Sequence, residues 1–328
     1  MTNSDAQQDV LRARLAELPE DFAYFADVYE SDLRPVLEAR EAERKNALDS
    51  AKKNSVIGIA IAAIAAVIGF GVIKVGAVGI IGIIIGFIVA GWGYPKVNEI
   101  AKQTKEFLIT PIAERLGLSY NSGASLKAEE LLIQSRELKV VPGWDRKEVS
   151  DEFVGERNGV PFEFFEAHLE EKRTTRTSNG RTQTTWVTVF RGQCWVIEAP
   201  KTFHGTTRVS RDSGWFNALG AIGNRFSRAK LEDPVFEKAF EVYTTDQVES
   251  RYLLTPDVME TFLELERQFK GGKFRATFDG NRIYAAIEGG DLFEGGGMFS
   301  RIDDPERVGD LLTDIATVFH LVDVLGKK

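Results

Sequence analysis

The sequence predicts an α+β soluble part, in which antiparallel β-hairpins pack with helices, joined to a two-helix transmembrane hairpin and a helical N-terminal segment. Three observations predict it. Residues 56–94 are almost wholly apolar and hold one charge, Lys74. Runs rich in β-branched and aromatic residues flank Asn179-Gly180, and a second pair flanks Asp279-Gly280-Asn281, the composition of tight hairpin turns. Finally, Thr255-Pro256-Asp257 and Asp304-Pro305-Glu306 place a capping side chain just before a proline, as at the start of a helix.

The apolar block sets the architecture. As one helix it extends about 57 Å at 1.5 Å per residue, nearly twice the roughly 30 Å hydrocarbon core of a bilayer. It also puts Lys74 near the bilayer centre, where a charge is costly. Folding back at Lys74-Val75-Gly76 removes both conflicts and gives spans over 56–73 and 77–94. Arg34, Arg40, Arg44, Lys45, Lys52 and Lys53 precede the first span, and Lys96, Lys102 and Lys105 follow the second. Only Lys74 lies between, so the positive-inside rule puts both termini in the cytoplasm. The competing reading is a helical hairpin buried in a soluble core. Ala62, Ala66, Gly82, Gly86 and Ala90 recur at four-residue steps, which suits close packing of the two arms or a homodimer through them. Trp92 and Tyr94 fall where an interfacial aromatic belt lies.

Composition narrows the function classes. The 328 residues carry a net charge of −8, which disfavours nucleic acid as a partner. The mean hydropathy of −0.17 averages a polar chain with one apolar block. Cys194 is the single cysteine, so no intrachain disulfide forms. His168, His204 and His320 are far apart, without the paired spacing of a zinc site. No metal or cofactor is expected. The opening MTNSDAQQDV is polar and does not read as a signal peptide.

Before the block, Phe22, Phe25, Tyr29, Leu33 and Leu37 recur every three or four residues, an amphipathic stripe for packing on the same chain or in a coiled coil. Pro35 within it starts a helix or kinks one. After the block, Ile100, Phe107, Leu108, Ile112 and Leu116 form one face of a helix that Gly117 stops, with Pro111 as a kink or join. A helix is expected over 126–137, with Lys127, Glu129 and Glu130 as surface charges.

Strands dominate past residue 150. If Asn179 and Gly180 are the turn, paired positions sum to a constant. Phe162 then faces Ile197, Phe164 faces Trp195, Phe165 faces Cys194, His168 faces Arg191 and Leu169 faces Phe190. The base of this hairpin is apolar on both faces and belongs in a core, whereas its far end, KRTTRTSNGRTQTT, is polar and projects. A strand follows Lys201, and residues 212–229 allow an amphipathic helix or a connection. Another strand covers Phe240 to Tyr243, a helix runs from Pro256 to about Phe269, and the last helix ends near Leu325. The expected division is an N-terminal helical segment (1–55), the hairpin (56–94), membrane-exit helices (95–138) and a cytoplasmic α+β domain (139–328), taken as one body or as two divided near residue 230.

Residues 230–265 carry Leu231-Glu232-Asp233, then Phe240, Val242 and Tyr243, then Asp246, Glu249, Arg251, Tyr252, Leu254, Thr255 and Pro256. This pattern resembles the signature of DUF3137, a bacterial family of unknown function. Asp151-Glu152-Phe153-Val154-Gly155 and Phe190-Arg191-Gly192 resemble the family's glycine-bearing strands, and the resemblance extends over about residues 20–300. Gln193-Cys194-Trp195 departs from the more apolar run that members carry. The resemblance implies the layout and a bacterial inner membrane, and it brings no catalytic residues.

Candidate chemistry is sparse. Asp246 and Glu249 have the spacing of a capping box, with Arg251 placed to pair with Glu249, Glu232 or Asp233. Cys194 with His204 or His168 is a nucleophile–base combination on paper, but its register puts Cys194 on an apolar face. Gly289-Gly290 and Gly295-Gly296-Gly297 lack the order of a phosphate-binding loop. Lys172, Arg173, Arg176 and Arg181 cluster at the projecting end of the first hairpin, where they suit anionic lipid headgroups or an acidic partner. The reading is a non-enzymatic interaction or scaffolding module at the inner membrane, with the bilayer and a protein as partners. The alternatives are a lipid-headgroup sensor and a membrane-associated hydrolase using Glu163, Glu166 or His168, although Glu163 and Glu166 point to opposite faces.

Overall fold

The computed structural model describes residues 10–176, 182–211, 225–269, 272–293 and 300–327. By its contacts the chain divides into two units, Met1–Ile109 with Glu294–Thr313, and Thr110–Phe293 with Asp314–Lys328.

In the first unit the stripe Phe22, Phe25, Tyr29, Leu33 and Leu37 is buried, so it packs on its own chain. A π-turn over Tyr29–Leu33 leads into α1 (Arg34–Ala66), with Pro35 in its first turn. Proline has no N–H to donate, which the first turn of an α-helix tolerates. Glu41 and Arg44 form a buried bidentate pair at 2.8 and 2.9 Å, and Glu41 also accepts the Ile302 N–H at 3.1 Å. Burial raises the Glu41 pKa, but those hydrogen bonds outweigh it and hold the carboxyl below its usual range. α1 passes into a π-turn at Val67–Val72, and α2 (Gly76–Gly91) follows. The reversal falls at Lys74, whose φ of 55° is the left-handed conformation of a tight turn. The two arms meet through small residues: a methyl on Gly86 would lie 2.6 Å from the Gly58 carbonyl oxygen and 2.7 Å from the Ala62 methyl.

α3 (Tyr94–Arg115) keeps Pro111 inside it without ending there. Ile100, Leu108 and Ile112 are buried as expected, but Phe107 is partly exposed beneath the Arg40 guanidinium. Gly117, at φ 74°, ends the helix in a Schellman motif, with Leu118 N–H donating to Ala113 and Gly117 N–H to Glu114.

The second unit is built on a sheet of nine strands among the described residues: β1 (Ser119–Asn121), β2 (Arg146–Arg157), β3 (Val160–Arg176), β4 (Thr182–Glu198), β5 (Thr207–Arg211), β6 (Ser227–Ala229), β7 (Phe240–Thr244), β8 (Phe274–Asp279) and β9 (Arg282–Glu288). The order is β1-β2-β3-β4-β9-β8-β5-β7-β6, and the neighbours run antiparallel. One face carries Phe165, Leu169, Phe190, Cys194, Val196 and Tyr284 beneath α4 (Leu126–Glu137), which Ser125 caps through the Ala128 N–H. The other face is aromatic. Phe164 meets Trp195 edge-on at 5.2 Å, Phe162 meets Phe319 at 6.1 Å and Phe274 meets Phe262 at 4.4 Å. Phe262 belongs to α7 (Pro256–Gln268), and Phe319 to α8 (Pro305–Leu325). Two shorter helices, α5 (Pro234–Ala239) and α6 (Gln247–Leu253), flank β7. An α+β fold with an antiparallel sheet is therefore the observed class.

Candidate functional site

Two features stand out, one in each unit. In the first, Glu20–Val72 and Gly76–Arg115 are each long and apolar enough, by length and composition, to cross a membrane. Only 11 % of the most apolar window of each is buried, so these windows are not the core of a soluble bundle within this chain. Val56, Ile64, Phe70, Ile80, Phe87 and Trp92 are all exposed. Polar groups sit at the open end of the pair, where Ser55 donates to the Ala90 carbonyl at 2.9 Å and Asn54 to that of Trp92 at 3.0 Å.

In the second unit β3 and β4 outrun their neighbours. β2 pairs with β3 up to Glu170, and β9 pairs with β4 only from Gly192. Residues 171–176 and 182–187 thus pair with each other alone among the described residues, a two-stranded ribbon of about 20 Å at ~3.4 Å per residue. The constant-sum register holds from Phe162–Ile197 through Leu169–Phe190, then slips by one, because a bulge at Leu169/Glu170 makes Thr188 the partner of Glu170. The slip sets Trp186 opposite Lys172, and Thr182 opposite Arg176. Lys172, Arg176 and Trp186 therefore share one face of the ribbon, since directly paired residues do and successive residues alternate. Trp186 is 44 % exposed, and the Arg146 guanidinium lies 5.7 Å from its ring centroid. Arg173 falls on the opposite face, 3.8 Å from the Glu171 carboxylate. The backbone N–H of Lys172 donates to Asp145 at 2.8 Å. Arg181 and the Asn179-Gly180 turn lie outside the described residues.

The remaining candidates are dispersed. Cys194 is buried between Phe165 and Ala286 on the neighbouring strands, and burial drives its thiol pKa far up. His168 shares a 2.9 Å hydrogen bond with the Thr188 hydroxyl. His204 is exposed on the loop before β5. Asp246 caps α6 through the N–H groups of Val248 and Glu249, but Glu249 does not close a capping box. Its two oxygens instead accept the N–H groups of His204 and Gly205, each at 2.8 Å, and Arg251 is exposed. Gly295-Gly296-Gly297 and most of 212–229 lie outside the described residues.

Glu163 and Glu166 do point to opposite faces, and both are buried. Glu163 pairs with Lys127 of α4, and Glu129 pairs with Lys147, both helix residues keeping the surface positions expected of them. Glu166 lies on the aromatic face, where it accepts the Leu292 N–H at 2.6 Å, and Gln193 Nε2 approaches it at 3.5 Å while donating to the Gly290 carbonyl at 2.6 Å. Gln193, the first residue of the departure from the family pattern, thus pins the loop after β9. Burial first, then the charges of Asp151 and Asp291, push the Glu166 carboxyl up to about 7. The alternation of β3 signals a strand there but not that a second layer covers this end of it.

The chain thus couples a helical unit with an exposed apolar helix pair to an α+β unit built on a broad antiparallel sheet. Residues 188–327 match the model of DUF3137, described as a protein of unknown function. No curated protein matches. Among solved structures, the crystal structure of the mycobacterial trehalose monomycolate transport factor A, TtfA, aligns over 69 % of this chain and 96 % of its own, at 10 % identity and a TM-score of 0.32. Likeness at that level gives no ground for transferring that protein's role.

Proposed function

We propose that this chain is a non-enzymatic interaction module anchored in a bacterial inner membrane by a two-helix hairpin, with both termini cytoplasmic and the α+β unit presented to a protein partner. The observation that carries this is the exposed apolar surface of the helix pair over Val56–Trp92, which water disfavours and a bilayer accommodates. The distribution of Lys and Arg around the block supports the orientation. Alkaline carbonate extraction of membranes containing the full chain tests the anchor. Retention in the membrane pellet is expected, and release into the supernatant would overturn it.

A second reading is favoured by the ribbon: Trp186 beside Lys172 and Arg176 combines an interfacial aromatic with cations, each worth about 1 kcal/mol near an anionic surface. In it the ribbon contacts lipid headgroups. An environment-sensitive dye on Thr174→Cys, in full-length protein in nanodiscs, should shift to the blue when phosphatidylglycerol is added to phosphatidylcholine. The shift should vanish with Lys172, Arg173 and Arg176 changed to Ser. A dye indifferent to lipid charge would eliminate headgroup contact and leave the protein partner.

A further inference from the structure

The face of the sheet that α4 covers is not covered to its far edge. α4 ends at Glu137, and the Leu138 carbonyl just beyond it accepts the Thr277 hydroxyl of β8 at 3.1 Å. Past that point the same face of β5 and β8 opens into a cavity of about 550 Å³, lined by Leu138, Phe203, Arg208, Arg225, Phe226 and Asp279 among others. That volume lies within the ~300–1,000 Å³ of small-molecule sites.

Arg208 projects from β5 on this face, opposite Thr277. Its guanidinium carbon stands 4.4 Å from the centroid of the Phe226 ring. Its Nε is buried and has no hydrogen-bond partner among the described residues. Burial lowers its pKa, and Asp279 opposes that effect. The nearby carboxylates have other work. Asp279 accepts the Thr206 hydroxyl, and Glu249 takes the N–H groups of His204 and Gly205. A half-buried guanidinium with an enclosed, unused Nε–H is an uncommon arrangement. Arg208 lines the cavity, and a guanidinium can engage an oxyanion with two parallel hydrogen bonds. Arg225 supplies a second cation to the same cavity.

We propose that this cavity binds a phosphate group, with the half-buried Arg208 as the anchor and Arg225 as the second cation. Two guanidinium groups suit a dianion better than a carboxylate. The cavity also exceeds a bare phosphate, and Phe203, Phe226 and Leu138 offer an apolar wall for the organic part of the ligand. The phosphate belongs either to a soluble monoester or to a phospholipid headgroup.

Calorimetric titration of the full-length protein in detergent micelles tests this, with inorganic phosphate, phenyl phosphate, glycerophosphoglycerol and acetate as probes. Saturable binding of at least one phosphate probe is expected, with acetate at least tenfold weaker. Tighter binding of phenyl phosphate identifies a soluble monoester, and tighter binding of glycerophosphoglycerol a headgroup. Arg208→Gln should weaken the phosphate probe at least tenfold. Arg225→Gln, near the surface and less exposed to folding defects, should weaken it several-fold. Asp279→Asn, which removes an opposing charge, should strengthen it. Absence of saturable phosphate binding, equal binding of acetate, or affinities unchanged in both arginine variants would overturn the proposal.

Discussion

Replacing Glu166 with glutamine should make the α+β unit more stable above neutral pH and leave it nearly unchanged in mild acid. Glu166 is 3 % exposed. One oxygen accepts the Leu292 N–H, and the other is buried without a hydrogen-bond partner among the described residues, as is Gln193 Oε1 on the paired position of β4. The folded carboxyl titrates near 7 against an ordinary value of 4.5. Between those values the folded chain keeps a proton that the unfolded chain has lost, so stability is fully present below about 4.5 and falls as pH rises towards 7. The loss amounts to ~3 kcal/mol at pH 8, at 1.36 kcal/mol for each pH unit separating the two pKa values. The substituted side chain cannot ionise. Its carbonyl can still take the Leu292 N–H. In thermal unfolding of the full-length protein in micelles, followed by the fluorescence of buried tryptophan, Glu166→Gln should raise the transition of this unit by about 5–10 °C at pH 8. At pH 5 the difference should be under about 2 °C. Parallel pH profiles for the two proteins, or a variant less stable at pH 8, would refute the reasoning.

Other substitutions probe the rest of the structure. Glu41→Ala leaves Arg44 buried without its bidentate carboxylate and the Ile302 N–H without its acceptor, so the helical unit should lose about 3–5 kcal/mol in denaturant titration. Gly86→Ala forces a methyl into contact with Gly58 and Ala62. It should cost about 1–3 kcal/mol, read as faster proteolysis of the hairpin in micelles. Cys194 should resist an aromatic disulfide reagent in the folded protein at pH 8 and react at once in denaturant, because its thiol is buried between Phe165 and Ala286.

What was legible in the sequence was what neighbouring residues decide. The reversal at Lys74, the helix over 126–137 and the register of β3 against β4 through Leu169–Phe190 all follow from local period, capping and turn chemistry. What was hidden depends on distant parts of the chain. No local signal announces that β9 returns beside β4, or that β5 lies between β8 and β7. Burial of Glu166 follows from the loop carrying Leu292 closing over it, which no pattern within β3 announces. The bulge at Leu169/Glu170 shifts the ribbon by one residue, and nothing in a stretch of Glu, Lys, Arg and Thr fixes a register. The Arg208 cavity was equally silent, since its lining comes from several separate segments.

The most direct measurement of the membrane anchor is cysteine accessibility in intact spheroplasts. The buried Cys194 provides a quiet background for variants with one added cysteine. A membrane-impermeant maleimide should label Lys74→Cys from outside, and should label Thr174→Cys only after the membrane is opened. Labelling of both positions from the same side would contradict a hairpin that crosses the bilayer and turns at Lys74.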